Sequence, residues 1–420
     1  MMKEIFLFLL IITILKANDE NLKLSGYLES KMSYFASEDE ITTANALFRL
    51  EGNYEVTDKG KVETHLLYYY DMQPVDPFSG FKENSFYSKL IDQYFQESYE
   101  NLDGTDQIIV ARLLEIYSSS TFDHLAYSAF YPKEKLVMDR ALIKLYFDSF
   151  DLNFGKQQIA WGTGYAFNPT DIWNIKDATN PNGSKVGVLA INLEYFFGEN
   201  SSLNIITAPG SNFDHWRYGF RVKSTVDRYE YSFSAIRDKS DDGAMLNIPE
   251  KIQLGTDFAG EIINRIGIFG EIAVSNPRYT GMEMSETDSL YFQLSTGLDY
   301  TFKNGLYLLG EYYYNDLGKS DYKDYDFLSF TRLTAGEMSG LAKNYFSAAA
   351  SYSFFDDYTF TLISLTNLND ISSVLVPEIE YAFHQNILIK FNSNIYIGNS
   401  SVTEFGGLIN KYTVSVIGYF

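Results

Sequence analysis

The sequence predicts an all-β fold, a transmembrane, antiparallel, up-and-down β-barrel of about 18 strands, with roughly 16 to 20 compatible with the pattern. Three observations predict it. Apolar and polar residues alternate at period two over most of the chain from Leu22 onward, as in strands with one apolar and one wet face. Links between the alternating segments are short and long by turns, the way membrane barrels separate tight turns at one rim from loops at the other. No segment after residue 17 reaches the roughly 18 apolar residues of a spanning helix, so any membrane crossing is made by strands.

Composition narrows the function classes. The 420 residues carry 33 Lys+Arg against 55 Asp+Glu, a formal net charge of -22, and that acidity argues against a nucleic-acid partner. The chain has no cysteine, which excludes disulfide scaffolds, thiolate zinc sites, thiol nucleophiles and lipid anchoring through an N-terminal cysteine. Aromatic residues make up 17%, a poor match for disorder or a coiled coil.

Taken from the N-terminus, Met1 to Glu4 carries a lysine, Ile5 to Leu15 is apolar apart from Thr13, and Lys16-Ala17 leads into Asn18-Asp19-Glu20. That is the layout of a secretory signal peptide cleaved after Ala17. The expected organisation is a signal peptide at 1–17 and a barrel at 18–420. The first strand sets Leu22, Leu24, Gly26, Leu28, Met32 and Tyr34 against Lys23, Ser25, Tyr27, Glu29, Lys31 and Ser33. Strands are then expected near 44–56, 61–70, 138–148, 151–162, 186–197, 202–208, 215–225, 228–237, 250–259, 264–275, 289–302, 305–314, 343–355, 358–366, 373–384, 386–397 and 409–420. The segment 71–137 is read as a long loop, extracellular or folded inward as a plug, although strand-like Ile108 to Tyr117 could add a hairpin. An even strand count with both termini on the periplasmic side follows from the alternation of turns and loops. The last strand alternates through Tyr412, Val414, Val416 and Gly418 to Phe420. A terminal aromatic of this kind resembles the signal read by barrel-assembly machinery, so Phe420 is the expected contact.

Acidic runs fall in the long links: Glu38-Asp39-Glu40, Ser240-Asp241-Asp242-Gly243, and Asp321 to Asp326. They read first as solvated faces, and second as bridges through divalent cations to anionic glycolipid. None has EF-hand spacing, and neither a metal site nor a cofactor is assigned. The four histidines, His65, His124, His215 and His384, form no recognisable nucleophile and base motif. No enzyme is expected.

Reading the alternation as lipid-out and lumen-in gives inward basic residues Arg49, Arg140, Lys144, Lys156, Arg217, Arg221, Lys223 and Arg228 in the first half. Inward acids in the second half are Asp257, Glu271, Asp299, Glu311, Glu378 and Glu380. Two consequences are open: a basic wall facing an acidic one, which would filter solutes by charge, or local neutralisation by cross-strand ion pairs.

Residues 138–174, MDRALIKLYFDSFDLNFGKQQIAWGTGYAFNPTDIWN, carry Asp139-Arg140, then Gly155-Lys156-Gln157, Ile159 and Trp161-Gly162, then Asn168-Pro169 and Asp171. This stretch resembles one shared by a porin-like family of outer-membrane barrels, of largely undefined function and akin to the alginate-export and related porins. Lys156 stands where that family has arginine. The resemblance implies a substrate-permeable barrel without naming a substrate. Gly162 and Gly164 allow a sharp departure from the strand, and Asn168-Pro169 favours a turn. Trp161, Gly162, Asn168, Pro169 and Asp171 are therefore expected to fold loop 163–185 into the pore mouth, in preference to the alternative of binding a ligand directly, with Asp171 capping a short helix or returning to Arg140.

Together these readings predict a bacterial outer-membrane channel for passive diffusion of small hydrophilic or anionic solutes. Its expected partners are outer-membrane lipid and glycolipid, small solutes and the assembly machinery, and a homo-oligomer is compatible with this class. The alternative is a plugged, non-conducting barrel for surface binding or polysaccharide attachment.

Overall fold

The computed structural model describes residues 21–36, 41–71, 134–173, 178–180, 187–210, 215–239, 250–263, 265–278, 290–334 and 336–420. The expected signal peptide and the interior of 71–137, Ile108 to Tyr117 included, lie outside them. The described residues form one antiparallel sheet of 18 strands. They are β1 (Leu22–Phe35), β2 (Ile41–Thr57), β3 (Gly60–Asp71), β4 (Glu134–Tyr146), β5 (Phe150–Gln157), β6 (Val188–Phe196), β7 (Ser201–Ala208), β8 (Arg217–Val226) and β9 (Tyr229–Asp238). The second half comprises β10 (Lys251–Glu261), β11 (Ile266–Ser275), β12 (Tyr291–Thr301), β13 (Tyr307–Asn315), β14 (Asn344–Phe354), β15 (Tyr358–Asn367), β16 (Ser372–His384), β17 (Ile387–Ile397) and β18 (Lys411–Tyr419).

Each strand pairs with its sequence neighbours, and β1 pairs with β18 from Tyr27↔Tyr419 to Phe35↔Lys411. The ring is thereby closed, with every strand paired to a neighbour on both sides, the condition for crossing hydrocarbon with strands. Both ends of the sheet fall on the rim with the short turns. At the closure seam the Gly26 amide donates to the Phe420 carbonyl at 3.2 Å and the Phe420 amide to the Gly26 carbonyl at 3.1 Å. The Phe420 ring stacks on Phe48 at 5.8 Å and lies over Gly26. A Cβ on Gly26 would come within 2.1 Å of the Arg49 carbonyl and 2.7 Å of that ring, so the seam closes only around glycine.

The polarity of the wall is inverted relative to a water-soluble protein. On β10, Ile252 and Leu254 face outward at about half exposure, while Gln253 and Asp257 face inward and are buried. Met32, Phe154, Phe220, Phe233, Phe292, Leu298, Phe391, Val414 and Val416 continue the exposed apolar band. Aromatic pairs gather toward the turn rim, as in Phe147–Phe150 at 4.3 Å, Tyr300–Phe302 at 4.6 Å and Tyr358–Tyr381 at 4.5 Å. An apolar belt with an aromatic border is what a bilayer solvates, and the fold is a transmembrane barrel.

Two segments depart from the alternation. β5 ends at Gln157, not at residue 162, and 158–173 leaves the wall and is largely buried inside. Ile159 and Trp161 keep strand-like spacing, but they pack inward with Trp173, Ala190, Ile206 and Ile236. The link 316–343 contains a helix, α1 (Phe327–Thr334). Asp326 begins it by accepting the Ser329 amide at 2.7 Å and hydroxyl at 2.6 Å, a capping arrangement.

Candidate functional site: the lumen and its inward segment

The inward segment 158–173 is held by two neighbouring stretches of the wall, β8 and β10–β13. In the first stretch Gly219 of β8 leaves room for indoles: an added Cβ would fall 2.4 Å from Trp173 and 2.8 Å from Trp161. These two rings meet edge to face at 5.7 Å. Arg217 lies over Trp173 at 5.4 Å and Arg221 over Trp161 at 6.0 Å, both within cation–π range.

In the second stretch the grip is on backbone. Glu271 of β11 accepts the Thr163 amide at 3.3 Å, the Gly164 amide at 2.7 Å, and the Thr170 amide and hydroxyl at 3.1 and 2.6 Å. Glu311 of β13 accepts the Ala166 amide at 2.6 Å, the Phe167 amide at 3.3 Å and the Ser295 hydroxyl at 2.5 Å. Gln253 donates to the Pro169 and Thr170 carbonyls. Amide dipoles converging on carboxylates give charge-assisted bonds, so the segment is fixed inside the lumen.

Asp171 accepts the Trp173 amide at 3.1 Å, which makes a local turn. The bond to Arg140 that its position allowed is not formed there. Gly162 has φ +84, with Glu271 and Thr170 oxygens within 2.8 Å of where a Cβ would sit. It is the tight corner, and the Asn168 side chain ties back to the Trp161 carbonyl at 3.4 Å.

The wall β2–β4 carries three of the eight expected basic residues, Arg49, Arg140 and Lys144. A register shift between His65 and Leu66 leaves Asp139 unpaired opposite them, a bulge that turns both Asp139 and Arg140 inward. Arg49 reaches Glu51 at 2.5 Å, Asp139 at 3.4 Å and the His65 Nδ1 at 2.9 Å. Arg140 donates to Gln158 at 2.5 Å, and Lys61 and Lys144 share Glu63, each at 2.9 Å. On β8–β10, Arg221 holds Asp257 with one nitrogen at 3.0 and 3.2 Å from its two oxygens. Arg217 and Arg278 both meet Asp238 at 3.1 Å, and Lys223 meets Glu230 at 3.2 Å.

Cross-strand neutralisation therefore replaces much of the transverse field, and among the described residues two ion-pair clusters each join four cations to three anions. On β2–β4, Arg49, Lys61, Arg140 and Lys144 face Glu51, Glu63 and Asp139. On the second wall, Arg217, Arg221, Lys223 and Arg278 face Asp238, Asp257 and Glu230.

Two inward assignments change, and one inward residue is closed off from the pore. Lys156 stands opposite Ala141 and Leu189, on the face of the exposed Phe154, because Gly155 and Gln157 take the inner positions of β5. Arg228 lies in the turn after β8, 3.6 Å from Asp227, at the point where the chain reverses. Glu311 points inward but is fully buried beneath the segment it holds, so solute does not meet it. Asp299 keeps its inward place on β12, beside Gly267 and nearer the turn rim.

A second packed mass fills the loop end on the β13–β17 side. Inward Tyr313, Tyr345, Ile363, Leu365 and Val374 join Phe167, Tyr325, Phe330, Leu333, Leu341 and Phe405 in one apolar cluster. Phe167 stacks on Tyr313 at 4.2 Å. Links 316–343 and 398–410 fold over these strand residues, which period-two alternation in the strands does not signal. Of the acidic runs, 38–40 and 240–243 lie outside the described residues. Within 321–326, Asp321 accepts the Lys323 amide at 3.0 Å and Asp326 caps α1 and meets Lys319 at 3.1 Å. Among the described residues no group of three or more His, Cys, Asp or Glu side chains is placed to hold a metal ion.

A closed 18-strand barrel with an apolar exterior, a charged interior and a segment folded into its lumen has the architecture of the outer-membrane porins. Comparison with solved structures agrees. OccK8 (OprE) of Pseudomonas aeruginosa matches with a TM-score of 0.55 at 9% identity, over 96% of this chain and 98% of that one. OccAB3 of Acinetobacter baumannii matches at 0.53 and 9%, over 96% and 100%. The outer membrane protein OprD of Pseudomonas aeruginosa matches at 0.52 and 9%, over 96% and 94%. No family model and no curated protein matches the chain.

Proposed function

We propose that the chain is a porin-like channel of the bacterial outer membrane that passes small hydrophilic, preferentially anionic solutes by diffusion. The observation that carries this reading is the segment 158–173, which leaves β5 and is fixed inside a charged lumen by β8 and by Glu271 and Glu311. A fixed internal narrowing flanked by two ion-pair clusters with a cationic excess suits selection of solutes in transit. Kinship with alginate-export and related porins, suggested by residues 138–174, belongs to the same reading, which gives no residue a catalytic role.

The apolar mass at the loop end favours one rival, a plugged barrel used for surface binding or polysaccharide attachment. Conductance of the purified chain in planar bilayers, with the reversal potential under a salt gradient, separates the two. Stable steps with anion preference are expected. Cation preference would remove the anionic part of the proposal, and silence from folded, heat-modifiable protein would favour the plug.

A further inference from the structure

Above the apolar mass sits a polar cluster that the channel architecture does not require. Glu404, in the link 398–410, is buried. It accepts the Leu341 amide at 2.9 Å, the Tyr345 hydroxyl at 2.6 Å and the Asn367 side-chain amide at 2.7 Å. One carboxyl group thus ties its own loop to link 316–343, to the start of β14 and to the end of β15.

Asp370, in the link between β15 and β16, lies directly beneath. It accepts the Glu404 amide at 2.8 Å, the Tyr325 hydroxyl at 3.3 Å, and the Ser372 amide and hydroxyl at 2.9 and 2.6 Å. The titratable groups facing Glu404 are Asp370 from the β15–β16 link, Tyr325 from link 316–343 and Tyr345 from β14. No lysine or arginine forms an ion pair with either carboxylate among the described residues; Lys319 is engaged with Asp326 and Lys343 lies near Asp316.

Two carboxylates enclosed together without a cation do not both ionise cheaply. Glu404 is the more deeply buried of the two and takes the proton.

The geometry points to Glu404 as a proton-operated latch that holds links 316–343 and 398–410 together over the barrel mouth and releases them when its carboxyl ionises. Burial, and after it the charge of Asp370, push the Glu404 carboxyl from its ordinary 4.5 up to about 7. Burial likewise raises the Tyr325 phenol, so its hydroxyl keeps its proton and remains a donor. Between the ordinary carboxyl value and about 7 the latched form holds a proton that the released form has lost. The latch is therefore at full strength below that window, weakens by at most about tenfold per pH unit across it, and changes no further above it.

The absence of cysteine permits a direct test in the full-length chain. Ala342 is fully buried within link 316–343, beside the amide of Leu341 that Glu404 holds. Ala342→Cys supplies a single thiol, and Ser320→Cys, exposed in the same link, corrects for the pH dependence of thiol reactivity. The ratio of their labelling rates is expected to rise from pH 4.5 to 7 and then level off. Adding Glu404→Gln should abolish the rise, and Asp370→Asn, which removes the neighbouring charge, should make the ratio level off at lower pH. A flat ratio in the parent, or an unchanged slope with Glu404→Gln, overturns the proposal. Should the glutamine variant fail to fold, an unmoved plateau with Asp370→Asn overturns it equally. Channel closures that fade over the same pH range would link the latch to conduction. That readout alone rests on the channel reading, and labelling distinguishes failure of one from failure of the other.

Discussion

At the scale of single residues, carboxylates do structural work that composition alone reads as surface charge. Glu271 illustrates it: all four of its hydrogen bonds go to a segment about a hundred positions earlier in the chain. Glu271→Gln presents the Thr170 amide and hydroxyl with an NH2 group in place of an acceptor. A loss of about 1–3 kcal/mol is expected, read as a lowered urea midpoint in detergent, together with noisier or larger conductance steps as segment 158–173 loosens. Unchanged step size would show that the segment does not define the narrowing. Arg221→Met leaves Asp257 buried with only the Ser232 hydroxyl beside it, and removal of one partner of a buried pair costs about 3–5 kcal/mol. Neither role was legible beforehand. Period-two parity put Glu271, Glu311 and Asp257 inside but could not name what they face there. It also failed at Asp139, because a bulge adds one residue and shifts the faces behind it, and at Lys156, where the positive φ of Gly155 and the departure of the chain at Gln157 end the simple alternation.

At the scale of elements, the strands were the legible part. Each of the 18 lies within a few residues of its expected span, since lipid outside and polar lumen inside impose opposite demands on successive side chains. The exceptions are informative. β5 was drawn too long because Ile159 and Trp161 continue the alternation while packing against inner-wall residues, and α1 was missed because a short amphipathic helix inside a polar link carries little periodic signal. The closure seam makes a sharp prediction. Gly26→Val places atoms where the Arg49 carbonyl and the Phe420 ring already stand, and the expected outcome is loss of the compact, heat-modifiable form on gels. Phe420→Ala removes the ring but leaves the backbone pairing with Gly26. It should still close, with stability lowered by about 1–2 kcal/mol given the ring's partial exposure.

For the whole molecule, the chain is strongly acidic, yet each of the two ion-pair clusters on its inner walls, taken alone, leaves a remainder of one cation. Selectivity arising from such a remainder acts through solution and is screened, with a Debye length of roughly 10 Å at 0.1 M salt and 3 Å at 1 M. The anion preference in the reversal potential is therefore expected to be clear at low salt and nearly gone at 1 M. A preference that survives high salt would point to direct coordination of the solute. Lys144→Gln should reduce the low-salt preference without closing the channel, because Lys61 still holds Glu63.

The clamp at Glu271 and Glu311 also bears on how such a barrel changes its cargo. Both carboxylates grip mainly main-chain nitrogens of 163–170, which every residue except proline supplies, while Tyr165 and Asn168 remain partly exposed. Apart from Gly164, Phe167, Asn168 and Thr170, whose own contacts fix them, the frame is indifferent to the identity of those side chains. Mutation can therefore redecorate the aperture position by position without dismantling its mount, a modularity open to natural drift and to a designer re-tuning the passage for a chosen molecule.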